Sequence, residues 1–211
     1  MTESAAVPFA FLGGALCLDF ANTAFREDGV VVWESLGGFG DLLAWGVAAQ
    51  VLAPEDAEPL RAAADERSGE AGGAFGRAVA LREQVYRVFA ALAEGGPADS
   101  RDLAALDRAQ RDAFAHRGLA AEGEGFRWDW SGGGAALDRV TWRVAESAAE
   151  LLTRGDLGRV RRCAGEDCTR LFLDTSRSGR RRWCDMSHCG NVAKVRRFRA
   201  RHPGGAPGAR G

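Results

Sequence analysis

Four cysteines are the side chains in this sequence best suited to chemistry. They form two pairs with the same internal spacing, Cys163 with Cys168 and Cys184 with Cys189, and fifteen residues separate the pairs. Four of the chain's five cysteines therefore fall within 27 residues. Paired cysteines at short spacing are typical of a tetrahedral metal site, because each short loop brings two thiolates to one side of an ion.

Zinc is the ion that this arrangement favours. Structural disulfides are the alternative, but they belong to oxidising compartments, and Met1–Pro8 has no basic stretch followed by an apolar one that would direct export. Zinc accepts four thiolates and has no redox chemistry to control, although an iron or iron–sulfur centre uses the same ligands. His188 is an alternative fourth ligand, but the matching spacing favours Cys189. Four protein ligands leave no open position, so one structural Zn²⁺ is predicted.

The charge of the chain is divided sharply by position. Residues 159–202 hold twelve arginines and one lysine against four carboxylates, a net charge of +9, whereas the rest of the chain carries −10. This concentration of positive charge predicts a polyanionic partner, and nucleic acid is favoured. The cations expected to contact it are Arg180, Arg181, Arg182, Lys194, Arg196, Arg197 and Arg201.

Other roles for these cations stay open. Four thiolates and Zn²⁺ sum to about −2, so some arginines could hydrogen-bond the sulfur atoms. The basic segment could also dock on the acidic remainder of the chain or on a protein partner. It could instead bind structured RNA, because arginine clusters with Trp183 and Phe198 suit stacking on bases as well as contact with phosphate. The arginines that could hydrogen-bond the sulfur atoms are Arg161, Arg162, Arg170 and Arg182.

No phosphate loop and no set of nucleophile, base and orienting group is present, so an enzyme is not predicted.

The elements that position the cysteines are predicted around them. Leu171–Leu173 should be a strand, followed by a turn over residues 174–179. Arg180–Trp183 should then return as its partner strand and bring both cysteine pairs to the same end. A basic helix is expected from Ser187 or Asn191.

The rest of the chain is predicted to be helical. Asp41 should cap the second helix and Pro54 should end it, while residues 68–73 should form a flexible glycine-rich loop. Cys17 is expected to be a buried apolar residue rather than a reactive thiol. From the spacing of apolar residues, helices are predicted at about 15–23, 41–52, 54–67, 74–92, 99–114 and 137–154.

Two segments have the composition of strands. Leu119–Ala121 and Phe126–Trp130 are predicted to form a hairpin, with three aromatic residues on the face that covers the helical core. Val30–Trp33 is either a short strand or an apolar loop. The connection from Gly155 to Arg159 is too short for a free linker, so the basic segment should pack against the helical part.

The residues around the cysteines resemble the CGNR zinc finger. They run Arg-Cys-x4-Cys-x3-Phe-x-Asp-x-Ser, then Arg-Arg-Trp-Cys-x4-Cys-Gly-Asn, and a basic helix follows. Leu-Asp-Phe-Ala-Asn-Thr at residues 18–23 resembles the start of the ABATE domain that precedes this finger. The resemblance implies a bacterial, DNA-binding, stress-induced transcription regulator. The implied metal ligands are Cys163, Cys168, Cys184 and Cys189. The sequence departs from the signature at Val192, where the family has arginine.

These observations predict an α+β, mostly α fold. Residues 1–157 should form a helical regulatory domain with a small β-hairpin, residues 158–202 a four-cysteine zinc finger with a hairpin and a basic helix, and residues 203–211 a disordered tail. The predicted function is that of a cytoplasmic, zinc-dependent, DNA-binding transcription regulator. Its N-terminal domain would sense a small-molecule effector or form homo-oligomers, and no segment is apolar enough to predict a membrane partner.

Overall fold

The longest helix of the protein, Ser68–Ala93, is the element around which the others pack. In the computed structural model, which describes residues 9–130 and 136–202, it contacts five other helices and two hairpins. The fold is mostly helical with small antiparallel hairpins, as predicted. The calls on Met1–Pro8, on the glycine loop at 131–134 and on the tail at 203–211 lie outside the described residues.

The elements follow one another along the described chain with short connections. The helices are α1 (Leu16–Ala21), α2 (Phe39–Ala48), α3 (Pro54–Glu66), α4 (Ser68–Ala93), α5 (Ser100–Ala115), α6 (Arg139–Arg154) and α7 (Asn191–Arg201). The strands form three hairpins: β1 (Ala24–Glu27) with β2 (Val30–Glu34), β3 (Arg117–Glu122) with β4 (Gly125–Trp130), and β5 (Val160–Arg162) with β6 (Leu171–Leu173). A 3₁₀ turn at Leu157–Arg159 precedes β5, and a π-turn at Met186–Gly190 precedes α7.

The predicted loop over residues 68–73 is wrong, because α4 already begins at Ser68. Ala71 and Ala74 are buried in the core on the inner side of this first part of the helix. Glu70 lies in the first turn, where a negative charge is favourable, and pairs with Arg67 at 3.1 Å. Burial of the alanines and this favourable electrostatic interaction outweigh the low helix propensity of the glycines.

The predicted limits of α2 are also corrected. The helix starts at Phe39, so Asp41 lies inside the first turn and accepts a hydrogen bond from the Gly37 backbone N–H at 2.7 Å. The helix ends at Ala48, well before Pro54. Pro54 instead begins α3, at a position where the N–H that proline lacks has no helical partner.

The hairpin β3–β4 is confirmed, but its aromatic face covers less of the core than predicted. Trp130 is buried against Trp142, with ring centroids 5.7 Å apart. Phe126 and Trp128, further from the base of the hairpin, are mostly exposed. Val30–Trp33 belongs to strand β2, which pairs with β1, a strand that the sequence did not predict.

The Leu-Asp-Phe-Ala-Asn-Thr segment joins the N-terminal helices to the cysteine-rich part. Leu18 and Phe20 are fully buried in the core. The Asn22 side chain donates to the Leu171 carbonyl at 2.8 Å and accepts from the Leu171 N–H at 2.9 Å. On the edge of β6 that does not pair with β5, Asn22 thus makes the hydrogen bonds that a neighbouring strand would make. On the same edge, the Gly13 carbonyl accepts from the Leu173 N–H at 2.7 Å.

The expected packing of the two parts is confirmed by the main hydrophobic core, which includes Val160 and Leu171 from the hairpin β5–β6. Cys17 is fully buried in that core, and burial raises the pKa of its thiol to about 12. The thiol therefore stays protonated at neutral pH, which agrees with its predicted apolar role.

Two arginines are buried where α4 meets the hairpin β1–β2. Arg82 donates two hydrogen bonds to the Glu34 carboxylate, at 2.6 and 2.7 Å. Arg26 donates to Glu83 at 2.9 and 3.1 Å and lies over the ring of Tyr86. A buried guanidinium that lost its carboxylate would be strongly destabilising, so these pairs fix the position of the hairpin.

The predicted pairing of Leu171–Leu173 with Arg180–Trp183 is wrong. Strand β6 pairs with β5 instead, with Arg161 opposite Phe172. The segment 180–183 is held by single hydrogen bonds, among them one from the Ala164 N–H to the Arg182 carbonyl at 2.8 Å. In the described parts of the chain, no helix is both long and apolar enough to cross a membrane.

Replacing Asn22 by alanine should destabilise the protein by about 2–4 kcal/mol, because the buried N–H and carbonyl of Leu171 would both lose their partners. The measurement is chemical denaturation of the zinc-bound protein. Asn191→Ala removes the same amide from an exposed position and should change the free energy of unfolding by less than about 0.5 kcal/mol. Equal effects of the two substitutions would contradict a joining role for Asn22.

Candidate metal centre and basic helix

The four cysteines come together at one end of the hairpin β5–β6. Cys163 directly follows β5, Cys168 lies three residues before the start of β6, and the second pair lies in the segment after β6 and its turn. All four Sγ atoms lie within 4.8 Å of one another, and all four side chains are buried. The Cys184 Sγ is 3.7 Å from both the Cys168 Sγ and the Cys189 Sγ.

These distances fit one zinc ion. With Zn–S bonds of about 2.3 Å, the edge of a regular tetrahedron of sulfurs is about 3.8 Å, close to the two separations observed. The sulfurs lie too close together to enclose a cluster of several iron atoms. His188 is exposed and lies outside the group, whereas Cys189 lies within it. The four cysteines can therefore hold one zinc ion in a closed site.

Backbone amides of the finger support the first sulfur. The N–H groups of Gly165 and Cys184 donate to the Cys163 Sγ, at 3.4 and 3.3 Å. A Cβ atom at residue 165 would lie 3.4 Å from the Cys189 Sγ and 3.1 Å from the Cys168 Cβ. The first cysteine loop is thus packed tightly against the second, and glycine gives it the room to turn beneath the sulfurs.

The thiols do not titrate independently. Hydrogen bonds from Cys168 and Cys184 lower the pKa of Cys163. The hydrogen bond with Cys163 raises the pKa of Cys168 to about 12, and burial raises that of Cys189 to about 12. The pKa of Cys184 is raised beyond that by its hydrogen bonds to Cys163 and Cys168. A bound cation supplies the positive charge that lets four neighbouring thiols become thiolates together.

Arg181 holds the second cysteine pair from inside the finger. Its Nε donates to the Trp183 carbonyl at 3.0 Å, its Nη2 donates to the Cys184 carbonyl, and its guanidinium lies 4.4 Å above the centre of the buried Phe172 ring. Its backbone N–H donates to Asp174 at 2.8 Å. Arg181 was predicted to contact nucleic acid, but its guanidinium is occupied within the finger.

The expectation that arginine side chains bond the sulfur atoms is wrong for the described residues. Arg161 donates to the carbonyls of Gly158 and Val160, and Arg162 pairs with Glu94 of the helical part at 2.8 Å. The only hydrogen bonds to sulfur from outside the cysteine side chains, in residues 9–130 and 136–202, come from backbone N–H groups. In the described residues, the arginine side chains of the finger therefore do not hydrogen-bond the sulfur atoms.

The basic helix α7 projects from the metal site. It begins directly after the π-turn that contains Cys189, and the Asp185 side chain accepts from the Ser187 N–H at 2.8 Å at the start of that turn. None of the residues of α7 is buried. Eleven residues are too few for a helix to be stable alone in water, so the connection to the metal site must support it.

The two sides of α7 differ in charge. On one side Arg196 forms an ion pair with Glu166 of the first cysteine loop, in a cavity of about 700 Å³ that also includes Asp167. On the other side a cavity of about 820 Å³ is lined by Lys194, Arg197 and Arg201 and by no carboxylate. Of the remaining predicted contact residues, Arg180 and Arg182 are exposed at the surface of the finger.

Three residues of this region were not singled out by their sequence. Glu166 neutralises Arg196, Asn22 ties the finger to the helical part, and Phe25 of β1 lines the cavity beside Glu166. Only Asn22 carried a signal, as part of the motif at residues 18–23. Val192 is half exposed in the cavity beside Glu166, so the departure from the CGNR signature lies on the side of α7 where a carboxylate is already present.

Comparisons with known proteins agree with this arrangement. A family model named ABATE, described as "Putative stress-induced transcription regulator", matches residues 14–155. A second model, the CGNR zinc finger, matches residues 159–202. No curated protein matches the chain.

Removal of zinc should unfold the metal-binding loops and α7 but leave the hairpin β5–β6 folded. Val160 and Leu171 anchor that hairpin in the main core, whereas the loops depend on the metal. Hydrogen exchange with and without a chelator measures this: amides of residues 163–170 and 184–201 should exchange much faster, and those of α4 should not.

Variants at single cysteines supply the control for this prediction. Cys184→Ala should reduce the bound zinc from about one ion per chain to almost none, whereas Cys17→Ala, which removes a thiol from the other core, should retain it. Full zinc content in Cys184→Ala, or unchanged exchange of residues 184–201 after chelation, would contradict the assigned site.

Proposed function

The chain belongs to the ABATE family and carries a CGNR zinc finger, and from this premise we propose that it is a zinc-dependent, DNA-binding transcription regulator. The observation that carries the proposal is the exposed helix α7. Three of its cations, Lys194, Arg197 and Arg201, line one cavity without any carboxylate, and in the described residues none of the three forms an ion pair. Clustered cations of this kind neutralise phosphates.

The metal site gives α7 a defined direction. A closed zinc site performs no chemistry on a substrate, but it fixes the π-turn from which the helix starts. At about 1.5 Å per residue, α7 is about 16 Å long, and the major groove of DNA admits a helix. In this proposal Lys194, Arg197 and Arg201 contact phosphates, Arg180 and Arg182 extend the basic surface, and Arg181 acts only by holding the finger together.

The helical N-terminal part is proposed to regulate binding, by sensing a small-molecule effector or by self-association. Two observations support its coupling to the finger. The Thr169 hydroxyl, next to Cys168, accepts a hydrogen bond from the Arg26 backbone N–H at 3.3 Å, and Phe25 lines the cavity beside α7. A change in the hairpin β1–β2 would therefore reach the metal-binding loop through direct contacts. Exposed apolar residues on the hairpins favour self-association.

Alanine at both Lys194 and Arg197 should weaken binding to duplex DNA and reduce its dependence on salt. Each lost phosphate contact should lower the slope of log K against log salt by about one, so the expected change is about two. The measurement is fluorescence anisotropy of a labelled duplex at several salt concentrations, with zinc content checked for each variant.

The matched control is Arg108→Ala in α5. Arg108 is exposed and forms no ion pair in the described chain. This variant should leave both the affinity and the salt dependence unchanged. An equal loss of affinity in the control, or an unchanged slope in the double variant, would refute contact by α7.

A further inference from the structure

We infer that the cavity between Trp183 and α7 binds an unpaired nucleobase of DNA, which stacks on aromatic side chains while its phosphates contact the surrounding cations. This inference rests on the proposed DNA binding and adds a second mode of contact to it. The cavity measures about 820 Å³ and lies on the side of α7 away from Glu166. Its size falls within the range of sites that enclose small molecules.

Of the aromatic rings in this cavity, that of Trp183 packs against the small core near the metal, whereas that of Phe198 packs against no core. Phe198 is 63 % exposed, on a helix that has no buried residue, and its ring stacks on His202 with the ring centroids 4.5 Å apart. In the main core, by contrast, Phe20 and Phe89 are fully buried. An exposed phenylalanine at the wall of a basic cavity offers a flat apolar surface for a base.

Trp183 also lines this cavity. The guanidinium groups of Arg182 and Arg197 lie 5.2 and 5.9 Å from the centre of its ring. Its indole Nε1–H is buried and has no acceptor in the described part of the chain. Cations beside an aromatic ring are the combination with which proteins bind single-stranded nucleic acid.

The charge of the cavity favours an anionic ligand. Lys194, Arg197 and Arg201 line it, and no carboxylate does. The cavity on the other side of α7 contains Arg170, Arg196 and Arg197, but Glu166 and Asp167 offset part of their charge, and Glu166 pairs with Arg196. A polyanion is therefore directed to the Trp183 side. The aromatic surfaces there require the face of a base, and a base inside a duplex presents only its edges.

The test compares three DNA probes with the zinc-bound, full-length protein: a mixed-sequence duplex, the same duplex with one unpaired thymidine, and one of its separate strands. The duplex with the unpaired thymidine and the separate strand should bind about tenfold more tightly than the paired duplex, as expected for one stacked base. When 2-aminopurine replaces the unpaired thymidine, its fluorescence should be quenched on binding, because the base stacks on a ring.

Phe198→Leu should abolish this preference and the quenching, while affinity for the paired duplex and the zinc content stay unchanged. Phe198→Tyr, which keeps the ring, should retain both. Phe114→Leu, a substitution at an exposed phenylalanine on α5, should have no effect. Trp183→Phe should retain the preference in part, because a smaller ring remains.

Each other outcome would overturn the inference. Equal binding of all three probes, or a preference that survives Phe198→Leu, would show that the cavity does not stack a base, while the proposed duplex binding would still stand. Tight binding of the same bulge in duplex RNA without binding of the DNA probes would replace DNA by RNA as the ligand. Failure to bind any probe would refute the proposed function together with this inference.

Discussion

Four sulfur atoms within 4.8 Å of one another, all in buried side chains, are the constraint on which the finger depends. Four thiolates at this distance repel one another, and they are stable together only around a cation. The rest of the finger follows from this requirement. Gly165 gives the first loop room beneath the sulfurs, Arg181 holds the carbonyl of Cys184, and the turn that contains Cys189 starts α7. The exposed helix has no apolar core of its own, so its position derives from the metal.

The finger is nevertheless not an independent unit. Val160 and Leu171 are part of the core formed by the N-terminal helices, and the side chain of Asn22 hydrogen-bonds both backbone groups of Leu171. Among the described residues, Phe172 and the four paired cysteines make up the smaller core near the metal, and Leu12 and Trp183 pack against it. The hairpin β5–β6 thus takes its stability from the helical part, while the cysteine loops take theirs from zinc. This division connects the helical part directly to the hairpin that carries the first cysteine pair.

The charges of the finger serve two different purposes. Arg181 and Arg162 act inside the protein, one by holding the backbone near Cys184 and the other by pairing with Glu94 across the boundary between the two parts. Lys194, Arg197 and Arg201 face a cavity without carboxylates and remain available to a ligand. Arg196 lies between these cases because Glu166 already neutralises it. The net charge of +9 is therefore larger than the positive charge that is free of partners at the surface of the finger.

The sequence alone was enough to predict the metal site, because the spacing of the cysteines is a local property that does not depend on how the rest of the chain folds. It also determined most helices, whose apolar stripes repeat within a few residues, and the separation of acidic and basic parts. It failed at residues 68–73, where burial of Ala71 and Ala74 in the core overrides the loop composition.

Only the tertiary structure decided which strand pairs with Leu171–Leu173, which arginines face solvent, and which side of α7 is free of carboxylates. The physical reason is that a hydrogen bond such as Asn22 with Leu171, or an ion pair such as Glu166 with Arg196, joins residues that are distant in the chain. Local spacing carries no information about such pairs.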